Sequence, residues 1–178
     1  GTNLIINEVM PLGSEYVELY NPTSGSVNLT GWKLWAGGNV YNISSAVIQA
    51  GSFLVLTWKD FTPNAQPSWL PNNGATVKLV APNGTTVDQT TYPLLPSNGL
   101  KSWARVVNLQ GKPVDTDNDS ADFFVGFKSE GQENTLRGMQ GVVPEFGPLT
   151  GLLAAVASFI IWSVSGVCRV KRTGKPGI

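Results

Sequence analysis

An all-β sandwich or barrel followed by a single C-terminal hydrophobic helix is the fold class that three features of this 178-residue chain predict. Short runs rich in β-branched and aromatic residues recur through the first two thirds: Leu4 to Val9, Tyr16 to Tyr20, Trp32 to Trp35, Phe53 to Trp58, Ala75 to Val80, Val87 to Tyr92 and Trp103 to Val107. Turn chemistry separates them, at Asn21-Pro22, Gly37-Gly38, Asn73-Gly74, Asn83-Gly84 and Asn98-Gly99. The third feature is an uncharged run from Leu149 to Cys168, followed at once by Arg169, Lys171, Arg172 and Lys175.

Within the strand-like runs the apolar period is two. Val17 and Leu19 share one face of Tyr16–Tyr20, leaving Tyr16, Glu18 and Tyr20 on a face expected to be wet. Val77 and Leu79 point inward in the same way. Val80 to Val87 reads as a hairpin in which Asn83-Gly84 supplies the positive φ angles. Trp32, behind the turn residue Gly31, is the expected central aromatic of the core. No segment before Val143 has a helical period, and the glycines of Ser129 to Glu145 read as a linker. The predicted boundaries are a β-sandwich over 1–136, a linker over 137–147, a helix over 148–168 and a basic tail over 169–178.

A run of about 20 apolar residues spans roughly 30 Å of hydrocarbon as a helix, with its backbone amides satisfied internally. Basic residues beside a span stay on the cytoplasmic side, so the preceding chain is expected outside the cell, with a signal peptide removed. Gly147 and Gly151 form a G-x-x-x-G pair, and Ala155 and Ser158 continue a small-residue face suited to helix packing. Cys168, the only cysteine, sits at the membrane boundary, where palmitoylation is the reactive alternative to inert packing.

Charge and composition exclude several function classes. Through Glu145 there are eight basic and twelve acidic residues, a net −4, and the tail carries +4. An acidic module with a basic anchor argues against nucleic acid as a partner. There is no histidine, which rules out Ser/His/Asp, Cys/His and histidine-metal sites. Carboxylate-pair chemistry through Glu15 and Glu18 stays formally open, and the expectation is that the protein is not an enzyme.

The order of motifs resembles a known family. Ile5-Ile6-Asn7-Glu8-Val9-Met10, Glu15-Tyr16-Val17-Glu18-Leu19-Tyr20-Asn21-Pro22-Thr23 and Val27-Asn28-Leu29-Thr30-Gly31-Trp32-Lys33-Leu34 resemble the opening of the lamin tail domain. Ile48 to Leu56, the Asn83-Gly84 hairpin, Ser102-Trp103-Ala104-Arg105 and the acidic loop ending Asp122-Phe123 fit as well, over roughly residues 3 to 136. The family's closing Ser-Pro-Gly-x-x-Asn stands here as Ser129-Glu130-Gly131-Gln132-Glu133-Asn134. The resemblance implies an immunoglobulin-like β-sandwich used as an interaction module of surface proteins, with no general catalytic site. Pro144-Glu145-Phe146 before the apolar run is similar to sorting signals read by archaeosortase-type transpeptidases, which implies an archaeal surface protein.

Four sequons, at Asn28, Asn42, Asn83 and Asn118, are candidate glycosylation sites. Asp115, Asp117 and Asp119, with Asp122 nearby, have the opening spacing of a calcium loop, although Ser120 and Gly126 replace the EF-hand glycine and bidentate glutamate. Calcium is accordingly the one cofactor considered, as the centre of a calcium-dependent adhesin. The leading expectation is a non-enzymatic, glycosylated cell-surface protein, adhesive in character, meeting surface proteins or glycans. The alternative is a structural subunit of an extracellular filament or envelope lattice. That subunit would self-associate as a homo-oligomer through its C-terminal helix or by N-terminal strand addition from Leu4.

Overall fold

The computed structural model of the chain describes residues 4–135. Among these residues no helix is long and apolar enough to cross a membrane. The predicted span over 148–168 lies outside them.

Among the described residues eleven strands form an antiparallel β-sandwich. Strands β1 (Ile5–Met10), β2 (Tyr16–Tyr20), β7 (Phe53–Leu56), β10 (Lys101–Arg105) and β11 (Phe123–Phe127) make one sheet in the order β11-β10-β1-β2-β7. Strands β4 (Lys33–Ala36), β5 (Asn39–Asn42), β8 (Ala75–Val80) and β9 (Thr86–Tyr92) make the second, in the order β5-β4-β8-β9. A small ribbon pairs β3 (Val27–Asn28) with β6 (Val47–Ile48). One helical turn, α1 (Asp119–Asp122), precedes β11.

Alternation decides which side chains enter the core. Ile6, Val9, Val17 and Leu19 from the five-stranded sheet meet Leu34, Ala36, Val77 and Leu79 from the four-stranded sheet, all buried. Trp103 of β10 donates its indole N–H to Thr90 Oγ1 of β9 at 2.9 Å, tying the layers together. Sequence periodicity correctly placed Val17, Leu19, Val77 and Leu79. It missed β3, β5, β6 and β11. Strands of two residues carry no period, and β5 is an exposed Asn-Val-Tyr-Asn edge with little apolar signal.

Four expectations are corrected. The second face of β2 is buried, not wet: Tyr16, Glu18 and Tyr20 are all enclosed. The reason is the stretch read as linker, since Ser129 to Asn134 lies over β1 and β2 and hydrogen-bonds to both. Trp32 is only half-buried at the rim. The aromatic centre is instead Tyr41, Phe61 and Trp69, with ring centroids 4.8 to 5.2 Å apart. In the Ala81-Gly84 turn only Gly84 has positive φ, while Asn83 accepts from Thr85 N–H through its side chain. Strand addition from Leu4 is also corrected. β1 is already paired on both edges, with β2 and β10, and supplies buried core side chains.

The Gly37-Gly38 turn performs as its sequence predicts. Ala36 pairs with Asn39, so the two glycines make a two-residue hairpin loop at φ +57° and +87°. A Cβ on Gly37 would collide with the Pro71 ring, so the loop beneath it also requires glycine there.

Candidate functional site

Three places hold the polar chemistry of the domain, and the first is a carboxylate pair. Glu8 on β1 and Glu18 on β2 stand directly opposite in register, and both side chains are 0% exposed. Among the described residues no cation contacts either. Glu8 accepts from Ser102 Oγ at 2.5 Å, Tyr16 Oη at 2.7 Å and Ser129 N at 3.0 Å. Glu18 accepts from Asn7 Nδ2 at 2.7 Å and Gly131 N at 2.5 Å. Asn134 closes the group: its Nδ2 donates to Asn7 Oδ1 at 3.1 Å and to Arg105 O at 2.8 Å. Burial pushes Glu18 up to about 7, against the donors Asn7 and Gly131, and Glu8 adds to the rise. Burial likewise lifts Glu8 above the usual carboxylate range, although four hydrogen bonds pull it down.

The second place is built on Arg105, which is 1% exposed. Its Nη2 meets Asp88 Oδ2 at 2.7 Å, its Nη1 meets Asp115 Oδ1 at 2.9 Å, and Asp122 Oδ2 is 3.7 Å from Nη1. Nε donates to Ile6 O at 2.7 Å, and the guanidinium lies 4.4 Å from the centre of the Phe123 ring. Burial alone would raise Asp122. Hydrogen bonds from Thr116 and Asn118, together with Arg105, outweigh it and hold the carboxyl below its ordinary value. A planar fork that stacks on a ring and serves several acceptors is a task for arginine, and lysine would not replace it.

The third place is open. On the outer face of the four-stranded sheet Trp35 is 42% exposed and stands opposite Val40, itself exposed. Lys78 Nζ approaches to 5.9 Å from the Trp35 ring. A groove of about 550 Å³ runs beside them, with Gly37, Pro71, Asn73 and Thr76 on its walls.

A family model of the lamin tail domain matches residues 1–93. The chain belongs to the lamin tail domain family. No curated protein matches it. The family is one of immunoglobulin-like interaction domains and not of enzymes. The structure carries the lamin tail sandwich beyond the matched residues, because β10 pairs with β1 and β11 with β10.

The residues that the sequence singled out fall in different parts of the lamin tail domain. Glu15 and Glu18 do not form a pair. Glu15 caps a loop by accepting from Trp69 N and Leu70 N, both at 2.7 Å, while Glu18 serves Asn7 and Gly131. Asp115, Asp117 and Asp119 line one cleft of about 510 Å³ with Thr86 to Gln89. Their oxygens are not gathered for a cation. Asp115 is bound to Arg105, Asp119 accepts from Thr91 N at 3.2 Å, and Asp122 turns back to Thr116. Among the described residues no group of three or more His, Cys, Asp or Glu is placed to hold a metal ion.

All four sequon asparagines are exposed. Asn28 and Asn83 hold the turn geometry of their own loops by accepting from Thr30 N and Thr85 N. Gly147, Gly151, Ala155 and Ser158, and the motif Pro144, Glu145 and Phe146, lie outside the described residues. Sequence reasoning missed Arg105 and the Glu8–Glu18 pairing. A lone arginine in Lys101–Arg105 has no periodicity to mark it, and cross-strand register exists only in three dimensions.

Proposed function

We infer that this lamin tail domain is an exported, non-enzymatic interaction module held at the cell surface by the C-terminal apolar segment. One observation carries the interaction reading. The buried carboxylates Glu8, Glu18 and Asp122 and the buried Arg105 are bonded within the sandwich, whereas Trp35, Val40 and Lys78 stand outward on a regular sheet face. Trp69 Nε1 is the only buried side-chain nitrogen or oxygen without a partner among the described residues. Carboxylates held this way support architecture and offer no substrate access. The outer face of β5-β4-β8-β9 is then the contact surface. None of Asn28, Asn42, Asn83 and Asn118 lines the Trp35 groove, although Asn42 stands opposite Lys33 on the same outward face.

The anchor rests on the uncharged Leu149–Cys168 run and the four basic residues after it. Fractionation tests it: the full chain should stay with membranes through an alkaline wash, and protease added to intact cells should remove the sandwich. Recovery of full-length chain in the soluble fraction without detergent overturns it. The spacing of Gly147, Gly151, Ala155 and Ser158 favours a second reading, assembly through that helix. Electron microscopy of envelope preparations would then show a repeating subunit with helices at its core.

A further inference from the structure

We propose that the groove beside Trp35 binds an oligosaccharide with spaced carboxylates, a chain alternating uronic acid with neutral sugar. The proposal rests on the reading of this domain as an interaction module and names the ligand class for it.

Trp35 supplies the first requirement. A sugar ring has an apolar C–H face, and an indole held rigidly on a strand buries that face at little entropic cost. The backbone of Trp35 is fixed between Val40 and Lys78 in the sheet, and Lys78 Nζ lies 5.9 Å from the centre of its ring. Next to it, the groove offers Asn73 and Thr76 as hydroxyl partners, and its volume of about 550 Å³ lies within the range of small-ligand sites. At Gly38 a Cβ would meet nothing within 4 Å, so backbone at this end of the groove is open to a ligand.

Charge decides the class. The outward positions of the four strands carry Lys33 and Lys78 and no carboxylate; Asp88, the acid of β9, points inward to Arg105. An anionic group in the groove therefore meets Lys78, with Lys33 two residues from Trp35 on the same outward face. Asp117 and Asp119, however, line the adjoining cleft together with Gln89 of β9. A polyphosphate, charged at every nucleotide, would carry surplus charge to that acidic rim. One carboxylate for every two sugars can sit at Lys78 with its neutral neighbour stacked on Trp35.

The test uses the full chain in a non-ionic detergent without sugar groups, titrated calorimetrically with a hyaluronan octasaccharide. The carboxyl-reduced octasaccharide and an eight-nucleotide oligothymidylate serve as comparators. Saturable binding of the octasaccharide is expected, about fivefold tighter than its reduced form and tighter than the oligonucleotide. Trp35→Ala should weaken it roughly tenfold, Trp35→Phe should stay within about threefold of wild type, and Lys78→Gln should remove the preference for the carboxylate. Variants should melt within a few degrees of the parent, which separates lost binding from lost fold. No binding at millimolar octasaccharide, equal binding of the reduced form, tighter oligonucleotide binding, or an unaffected Trp35→Ala variant overturns the proposal. None of those results bears on membrane recovery, by which the anchored-module reading stands or falls.

Discussion

Arg105 and Glu18 are both buried charged groups in the same sandwich, and they are stabilised in opposite ways. Arg105 is compensated: carboxylates of Asp88, Asp115 and Asp122 surround it. Glu8 and Glu18 face each other across β1 and β2, and among the described residues no cation contacts them and dipolar donors solvate them. An ion pair offsets desolvation by Coulomb attraction, whereas hydrogen bonds alone leave two like charges close together in a low dielectric. In the first arrangement burial still lifts Asp88 above its ordinary value, with Arg105 pulling it down. In the second, burial pushes Glu18 up to about 7. Asn134 joins the two, with one amide touching both Asn7 and the carbonyl of Arg105.

Removing the cation is the severest way to break the comparison. Arg105→Met leaves Asp88 and Asp122 buried without their partner, at a cost of about 3–5 kcal/mol. A fall in Tm of more than about 10 °C is expected by calorimetry or tryptophan fluorescence. A loss of only a degree or two would show that water reaches these carboxylates in place of the guanidinium.

The uncompensated pair predicts a pH effect next in size. Glu18 is raised from 4.5 to about 7 in the folded state, so the folded protein binds more protons than the unfolded chain between those values. The stability this protonation contributes is fully present below about 4.5 and is lost as pH rises through 7. Between pH 5 and 8 the decline should reach about 2–3 kcal/mol in urea titrations. Glu18→Gln should flatten it. The amide oxygen can then serve Asn7 or Gly131 but not both, so the variant loses at pH 5 and gains at pH 8. A parallel profile in the two proteins would place the titration elsewhere.

The link between the clusters comes third. Asn134→Ala removes donors to Asn7 and Arg105 and the acceptor for Ser129, with an expected cost of about 1–3 kcal/mol. Faster tryptic cleavage after the exposed Lys128 should accompany it, as Ser129–Asn134 leaves the sheet. The smallest effect belongs to the outer member of the compensated group. Asp115 is 32% exposed in its side chain, so Asp115→Asn should cost less than about 1 kcal/mol and less still at high salt.

What was legible in the chain follows from local pattern. Runs rich in β-branched and aromatic residues placed β1, β2, β4, β7, β8, β9 and β10, and alternation marked the inward residues where one face is more exposed, as in β8. Glycine turns were legible for a steric reason, as at Gly37-Gly38, where a two-residue hairpin loop needs positive φ at both positions. The motif order pointed to the family that the match over 1–93 then showed. Trp32 was misplaced because a large ring after a turn fits a rim as well as a centre; the loop Glu15 ties down brings Trp69 to the centre instead.

The sequence by itself determined the class of the fold, its family, the absence of histidine chemistry and the sign of charge along the chain. Only the tertiary structure decided which polar residues are buried. The second face of β1 and β2 is covered by Ser129–Asn134, more than a hundred residues away, and no local pattern encodes that cover. Burial of a charge is a property of everything packed around it. Glu8, Glu18 and Arg105 therefore look like ordinary surface residues in the sequence and become the interior of the molecule once the chain closes on itself.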